Sequence, residues 1–485
     1  MFLGIDIGTS AVKIVVVDDK GGVVEKSSAP LNIQRPGDLM SEQIPEDWWS
    51  AVNQAVRDIS SESRKAILAI GLSGQMHGAV LLDSSGMVIR PAVLWNDGRS
   101  IAECEELQKS LPELGEITGN LAMPGFTAPK LLWLKRHEPQ SYARIAKVVL
   151  PKDYIRYRMT GELATDMSDA AGTLWLDTKN RCWSSKVLDV CGLTEGHMPL
   201  LYEGNQVSGM LHADIAKSWE MGVIPVAAGA GDNAAGAVGS GIVAKGDAFL
   251  SLGTSGVIFL ADDSYRSNPS EGVHTFCHAL PGRWHQMSVM LSAASAVDQV
   301  ASILGYDRPS KLYEVAAHYG TPCQKEIFLP YMTGERTPHN NTKASGVFFG
   351  LSPLTEPEAL AQAALEGVAF GLADGLEALK SAGNSPESLS VIGGGAQSEY
   401  WGVIISSILN HPLVYRDGGE VGPAFGAARL ARLAIGDEAI EDVCVAPPIL
   451  KVIEPDEKLC SHYTKRQFLF RKLYTSLVPC FEELN

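Results

Sequence analysis

One acid stands alone in AAGAGDNAAGAVG, residues 227–239, a run otherwise made of Ala, Gly, Val and a single Asn. Asp is a common helix N-cap and small residues let helices pack closely, so Asp232 has a structural reading. It also has a chemical one. A hydroxyl is a weak nucleophile until a positioned carboxylate takes its proton, and small neighbours leave room for two reactants to meet there. A second acid, Asp6, sits in the apolar run FLGIDIG, residues 2–8. A carboxylate inside an apolar strand is costly unless a cation or donors satisfy it. Mg²⁺ held partly through waters meets that need, which makes Asp6 a candidate metal residue.

A repeat places Asp6 beside a phosphate-binding pattern. LGIDIGTSAVKIVVVDD from Leu3 and AFLSLGTSGVIFLADD from Ala248 share one plan: a β-rich run, Gly-Thr-Ser, a second β-rich run and paired Asp. Gly8, Thr9 and Ser10 answer Gly253, Thr254 and Ser255, whereas Asp6 is answered by Ser251. The hairpin itself therefore does not require an acid at that position. A Gly-Thr-Ser turn offers successive backbone N–H groups and two hydroxyls, a nest suited to anions. In VIGGGAQSEYW, residues 391–401, a strand runs into three glycines and then a predicted helix. A base or ribose can lie against Gly394 and Gly395, and the helix N-terminus favours negative charge nearby. The chain has neither GxxxxGK[ST] nor an early GxGxxG, which excludes the P-loop and Rossmann readings.

Two hairpins separated by half the chain predict two similar α/β domains, 1–243 and 244–485, joined near SGIVAKGD (240–247). A chain of 485 residues also exceeds one ordinary core. The net charge of −16 disfavours a general role on nucleic acid. Eight scattered Cys without a CxxC pair read as reduced thiols in a cytoplasmic protein. The start, MFLGIDIGTS, runs straight into a strand, so no signal peptide is expected, and no apolar stretch is long enough to predict a membrane span. HTFCH, residues 274–278, lacks a further ligand at useful spacing, so zinc is not expected. Trp48 and Trp49 fit either core packing or a cleft wall, and Glu335 with Arg336 reads as a structural ion pair beside the cleft.

The paired hairpins and the later glycine-rich segment resemble the sugar kinase, Hsp70 and actin superfamily, and within it the FGGY carbohydrate kinases. GFTAPKLLWLKRH (125–137) fits that family's first signature. GVFFGLSPLTEPEALAQAALEG (346–367) resembles the second, except that Ala359 stands where the pattern has a polar or acidic residue, read as a lost surface or capping group. SGQMHGA (73–79), LWNDGR (94–99), GDNAAGA (231–237) and FLPYMTGERTPHNN (328–341) resemble the members that act on D-xylulose. The resemblance implies two RNase H-like domains around a central cleft and MgATP-dependent conversion of D-xylulose to D-xylulose 5-phosphate. By the same resemblance Asp232 is the general base, and Met76, His77, Trp95 and Asn233 face the sugar. Gly8, Thr9, Ser10, Gly253, Thr254, Ser255, Gly394, Gly395 and Glu399 then serve the nucleotide, with Asp6 at Mg²⁺. Gln299 replaces a residue often aromatic in relatives and takes no role. A ketose and ATP are the expected partners, with a homodimer as in many relatives. Phosphoryl transfer is loose and its proton leaves late, so Asp232 is not required to have a raised pKa. Other ketoses or a polyol remain open as acceptors. A chaperone-type ATPase is disfavoured by the polar groups of QMHGA and WNDGR, and a sugar sensor by the joint presence of Asp6 and Asp232.

Overall fold

Two seven-stranded sheets organise the chain, and each is built on one copy of the repeat. The computed structural model describes residues 1–417 and 422–484. In the first sheet Phe2–Ile7 pairs antiparallel with Ala11–Val17 and parallel with Ala69–Gly74. Val23–Pro30 extends one side, while Pro225–Ala227 and then Val207–Met210 extend the other. The second sheet repeats this order. Ala248–Leu252 pairs antiparallel with Gly256–Asp262 and parallel with Leu389–Ile392. Trp284–Met290 and His274–Cys277 follow on the hairpin side, and Leu413–Arg416 and Ile449–Ile453 on the other. The chain is thus a mixed α/β protein of two sheet-centred lobes.

Central strands are covered on both faces, which explains why they read as continuous apolar runs and not as alternation. Leu3, Ile5, Ile7 and Ile14 pack with Val52 and Val56 of helix Pro45–Asp58. On the opposite face lies helix Pro423–Ile435, which follows the second sheet's Leu413–Arg416 strand in sequence but packs on Phe2–Ile7 and Ala69–Gly74 of the first. Glycines make this approach possible. A Cβ on Gly4 would stand 1.8 Å from the Ala424 carbonyl oxygen, and one on Gly71 1.8 Å from that of Ala427. The same helix meets Asp232–Ser240 through Gly426, whose Cβ would lie 1.8 Å from the Ala235 oxygen. The small residues around Asp232 therefore serve helix packing as well as access. Ala237 in turn joins the cluster of Phe249, Phe259 and Phe276 from the second sheet.

The two hairpins differ in register. Ile7 pairs with Val12, leaving residues 8–11 in the first turn, whereas Leu252 pairs with Gly256, leaving 253–255 in the second. Position 256 is crowded: a Cβ there would sit 2.8 Å from Leu372 Cδ2, where the first copy carries Ala11. Ala359 is buried at the third position of helix Pro357–Ser381, whose N-cap Glu356 makes no side-chain capping bond. Residue 359 is therefore not a surface position. Among the described residues no helix is long and apolar enough to cross a membrane.

Candidate active site

A cavity of about 500 Å³ opens between the lobes. Met76, His77, Trp95, Asp232 and Asn233 line it from the first lobe, and Ser255, Val257, Phe276, Met287, Val289 and Arg336 from the second. All five residues expected to handle the sugar thus share one wall.

Asp232 is the first residue of helix Asp232–Ser240; the N-cap is Gly231, so the capping explanation for the acid does not hold. Its Oδ1 accepts from the Asn233 backbone N–H at 2.8 Å and from Asn233 Nδ2 at 3.0 Å. Burial pushes this carboxyl up to about 7, the charge of Asp6 adds to the rise, and the Asn233 N–H opposes it. A Cβ at position 231 would meet Met76 Cγ at 2.8 Å, so a larger residue there would displace the Met76 side chain.

Asp6 lies in the centre of the first sheet, in register with Lys13 on one side and Ser73 on the other. Burial raises its carboxyl to about 6, opposed by the Ser73 hydroxyl and the Lys13 charge. Its buried Oδ1 accepts no hydrogen bond among the described residues. An unpartnered carboxylate oxygen beside a second acid is a hard-oxygen donor set that fits Mg²⁺. No group of three or more His, Cys, Asp or Glu able to hold a metal occurs among the described residues, so Mg²⁺ here would draw its other ligands from water and phosphate.

His77 has φ 67°, a left-handed conformation costly for a residue with a Cβ. Its backbone is held in place by the first signature segment: Thr127 Oγ1 and Lys130 Nζ both donate to the His77 carbonyl, at 3.1 and 2.9 Å. Lys130 also donates to Gly125 O at 2.8 Å, and burial pushes its ammonium down to about 7. The His77 ring stacks edge-on against Phe126 and places Nδ1 2.6 Å from Gly172 O. Burial pushes the imidazole down to about 3, so the ring is neutral near pH 7. A carbonyl only accepts; Nδ1 must carry the hydrogen, which leaves Nε2 as an acceptor. Trp95 is half exposed, and its Nε1–H donates to Thr9 Oγ1 at 3.0 Å.

The expected nucleotide residues do not line this cavity as a group. Ser255 borders it; Gly8, Thr9, Ser10, Gly253, Thr254, Gly394, Gly395 and Glu399 lie outside its lining. Gly8 N–H closes its turn on Ala11 O at 3.1 Å and Gly253 N–H closes its own on Ser255 O at 3.0 Å. The Thr254 carbonyl anchors the next helix, accepting from Ala293 and Ser295 N–H. Gly393 has φ 95° and leads through a short 3₁₀ turn, Gly394–Gln397, into helix Glu399–Leu409. Glu399 is exposed in the first turn of that helix and pairs with Lys451 at 2.5 Å.

Several lining residues escape the sequence reading. Glu335 and Arg336 do not form the expected side-chain pair. Glu335 Oε1 accepts from the backbone N–H groups of Leu291 and Arg336, while the Arg336 guanidinium turns into the cavity, 3.4 Å from His274 Nε2. Phe276, Met287 and Val289 come from neighbouring strands of the second sheet. The alternation of Met287 and Val289 marks one face of a strand, but not which face meets the other lobe. His274 and His278 are hydrogen-bonded within the protein, through Asn120 Oδ1 at 3.0 Å and Ile242 O at 3.1 Å. Trp48 is fully buried and Trp49 packs on Trp219, away from the cavity.

Residues 1–239 match the N-terminal domain of the FGGY family of carbohydrate kinases, and residues 248–435 match its C-terminal domain. The chain is 50% identical over 481 residues to the xylulose kinase of Escherichia coli (strain K12), covering 99% of each. A crystal structure of a "xyloylose kinase" from Brucella ovis has a TM-score of 0.95 and 46% identity over 100% of both chains. A gluconate kinase structure from Lactobacillus acidophilus has a TM-score of 0.93 at 25% identity, covering 100% of this chain and 99% of that one. The chain belongs to the FGGY family of carbohydrate kinases.

Proposed function

We propose that this carbohydrate kinase transfers the γ-phosphoryl group of ATP to D-xylulose, forming D-xylulose 5-phosphate, with Asp232 as general base. The observation that carries the reading is the convergence of Asp232, neutral His77 and Trp95 on one cavity, in a chain half identical to a xylulose kinase along its length. The sugar enters beneath Trp95. His77 Nε2 accepts from one hydroxyl, and Asn233 and Arg336 offer donors to others. Asn233 holds Asp232 Oδ1 and leaves Oδ2 for the reacting hydroxyl. As the sugar oxygen bonds to the γ-phosphorus, the bond to the bridging β,γ-oxygen breaks, ADP leaves, and the hydroxyl proton passes to Asp232. A carboxyl pushed up to about 7 is well matched to hold and release that proton near neutrality.

The nucleotide's phosphates sit between the hairpins of Gly8, Thr9 and Ser10 and of Gly253, Thr254 and Ser255, with Gly394 and Gly395 against its ribose and base. Glu399 lies toward the adenine end. Residues 1–243 then carry the sugar and the base, and 244–485 the nucleotide, apart from helix Pro423–Ile435, which packs on the first sheet. Asp6 would hold Mg²⁺, which when bound neutralises phosphate charge. Removing the proton-raising influence of Asp6 on Asp232 also belongs to a filled site, since a carboxylate neutralised by a cation repels its neighbour less.

The test is ³¹P NMR of the purified chain with ATP, Mg²⁺ and D-xylulose. The expected result is equal growth of ADP and of one sugar phosphate esterified at the 5-hydroxyl. ADP formed at the same rate without sugar, or phosphate on another hydroxyl, would overturn the proposal.

A further inference from the structure

We infer that the Thr9 hydroxyl positions the cavity wall, by holding the Trp95 indole, and is not a phosphate ligand. This rests on the cavity being the sugar site. Hydrogen-bond direction carries it. An indole N–H only donates, so in the 3.0 Å contact with Trp95 Nε1 the Thr9 oxygen accepts. The single hydroxyl hydrogen then points at Gln75 Oε1, also 3.0 Å away.

The orientation of Gln75 is set by a chain of forced assignments. Trp48 Nε1 donates to Gln43 at 3.0 Å, so the Gln43 atom there is Oε1. Gln43 Nε2 consequently faces two carbonyls, Thr9 O at 2.8 Å and Asn32 O at 3.2 Å. The same Gln43 Oε1 accepts from Gln75 at 2.9 Å, which makes that Gln75 atom Nε2 and leaves its Oε1 for Thr9. Gln43, Gln75 and Trp48 are all buried, so the assembly has little freedom to reorient.

A phosphate oxygen needs a donor, and Thr9 Oγ1 has already committed its one hydrogen. The anion-binding capacity of this hairpin is therefore its backbone: among the described residues the Thr9 and Ser10 N–H groups have no hydrogen-bond acceptor. The two functions of the turn are divided, backbone toward the nucleotide and side chain toward the sugar wall. A single turn thereby ties the indole over the acceptor to the loop beside the donor.

The experiment uses the full chain with ¹⁵N-labelled tryptophan. The indole resonance lost in Trp95→Phe identifies Trp95. In Thr9→Val that resonance should move, and in Thr9→Ser it should return to its wild-type position. In steady-state assays Thr9→Val should raise KM for the sugar by about tenfold, the scale of one lost hydrogen bond, with KM for ATP within about threefold. Trp95→Phe removes the same bond from the exposed side, so it serves if the Val variant folds poorly. Combined with Thr9→Val it should add little more. An unmoved Trp95 resonance, or an ATP KM that rises as much as the sugar KM, would overturn the inference. The spectra need no substrate and so decide it independently. Failure of the sugar reading would show instead as a wild-type chain that does not turn over D-xylulose.

Discussion

Asp232→Asn should abolish most activity while making the free protein more stable in mild alkali. The replacement is nearly isosteric, and an amide oxygen can keep the two bonds from Asn233 at 2.8 and 3.0 Å. What it loses is the ability to accept a proton from the sugar, a loss of roughly 10²–10⁴ in kcat for a general base. The stability change follows from the raised pKa. Below about pH 4 the carboxyl is protonated in both folded and unfolded chains, and its burial carries no charge penalty. Above about 7 it is ionised in both, and the folded state bears the full cost of desolvation and of the Asp6 charge. A rise from about 4 to about 7 corresponds to about 4 kcal/mol, an upper figure for a group that borders a cavity. Stability contributed by the protonated form is therefore lost as pH rises through this window, and the Asn variant does not lose it. Thermal unfolding without nucleotide or metal should show the variant melting several degrees above wild type at pH 8 and nearly together with it at about pH 3.5, below the unfolded value. Activity within tenfold of wild type would refute the base assignment. Equal melting differences at both pH values would refute the electrostatic account of the site.

Asp6→Asn should lower the pKa of Asp232 by removing the neighbouring charge, so the acid limb of kcat/KM shifts to lower pH while the Mg²⁺ concentration needed for half-maximal rate rises. A limb that stays in place would separate the two acids. His77→Ala should raise KM for the sugar by about tenfold or more, and leave KM for ATP unchanged, because it deletes the Nε2 acceptor from the cavity. Gly426→Ala should destabilise the fold by about 3 kcal/mol, as its Cβ meets the Ala235 backbone and not a movable side chain. Chemical denaturation measures this, and a change under about 1 kcal/mol would contradict the close packing of the two helices.

Residues whose neighbours had to be small or whose acid had no structural duty were legible in the sequence. Asp232 stood out because its surroundings lack bulk, and Asp6 because its counterpart in the repeat is Ser251. Met76, His77 and Trp95 were reached only through family resemblance, since a loop histidine or tryptophan carries no periodic signal. Arg336 was misread because adjacent opposite charges suggest a pair, whereas backbone N–H groups had already claimed Glu335. The return of helix Pro423–Ile435 to the first sheet was hidden for a different reason. Helical periodicity reveals an apolar face, but its partner is a pair of strands far upstream in the chain, Phe2–Ile7 and Ala69–Gly74, and Gly4 and Gly71 read equally well as ordinary strand glycines. The occupancy of the Thr9 hydroxyl required four side chains from separate segments to be placed together.

The most direct test of the account is a comparison of kcat/KM for D-xylulose, L-ribulose, D-gluconate and glycerol, each with saturating MgATP. The account predicts the highest value for D-xylulose, by at least about tenfold over the others, and its collapse in Asp232→Asn. A higher value for any of the other three acceptors, or D-xylulose turnover that survives in that variant, would contradict it.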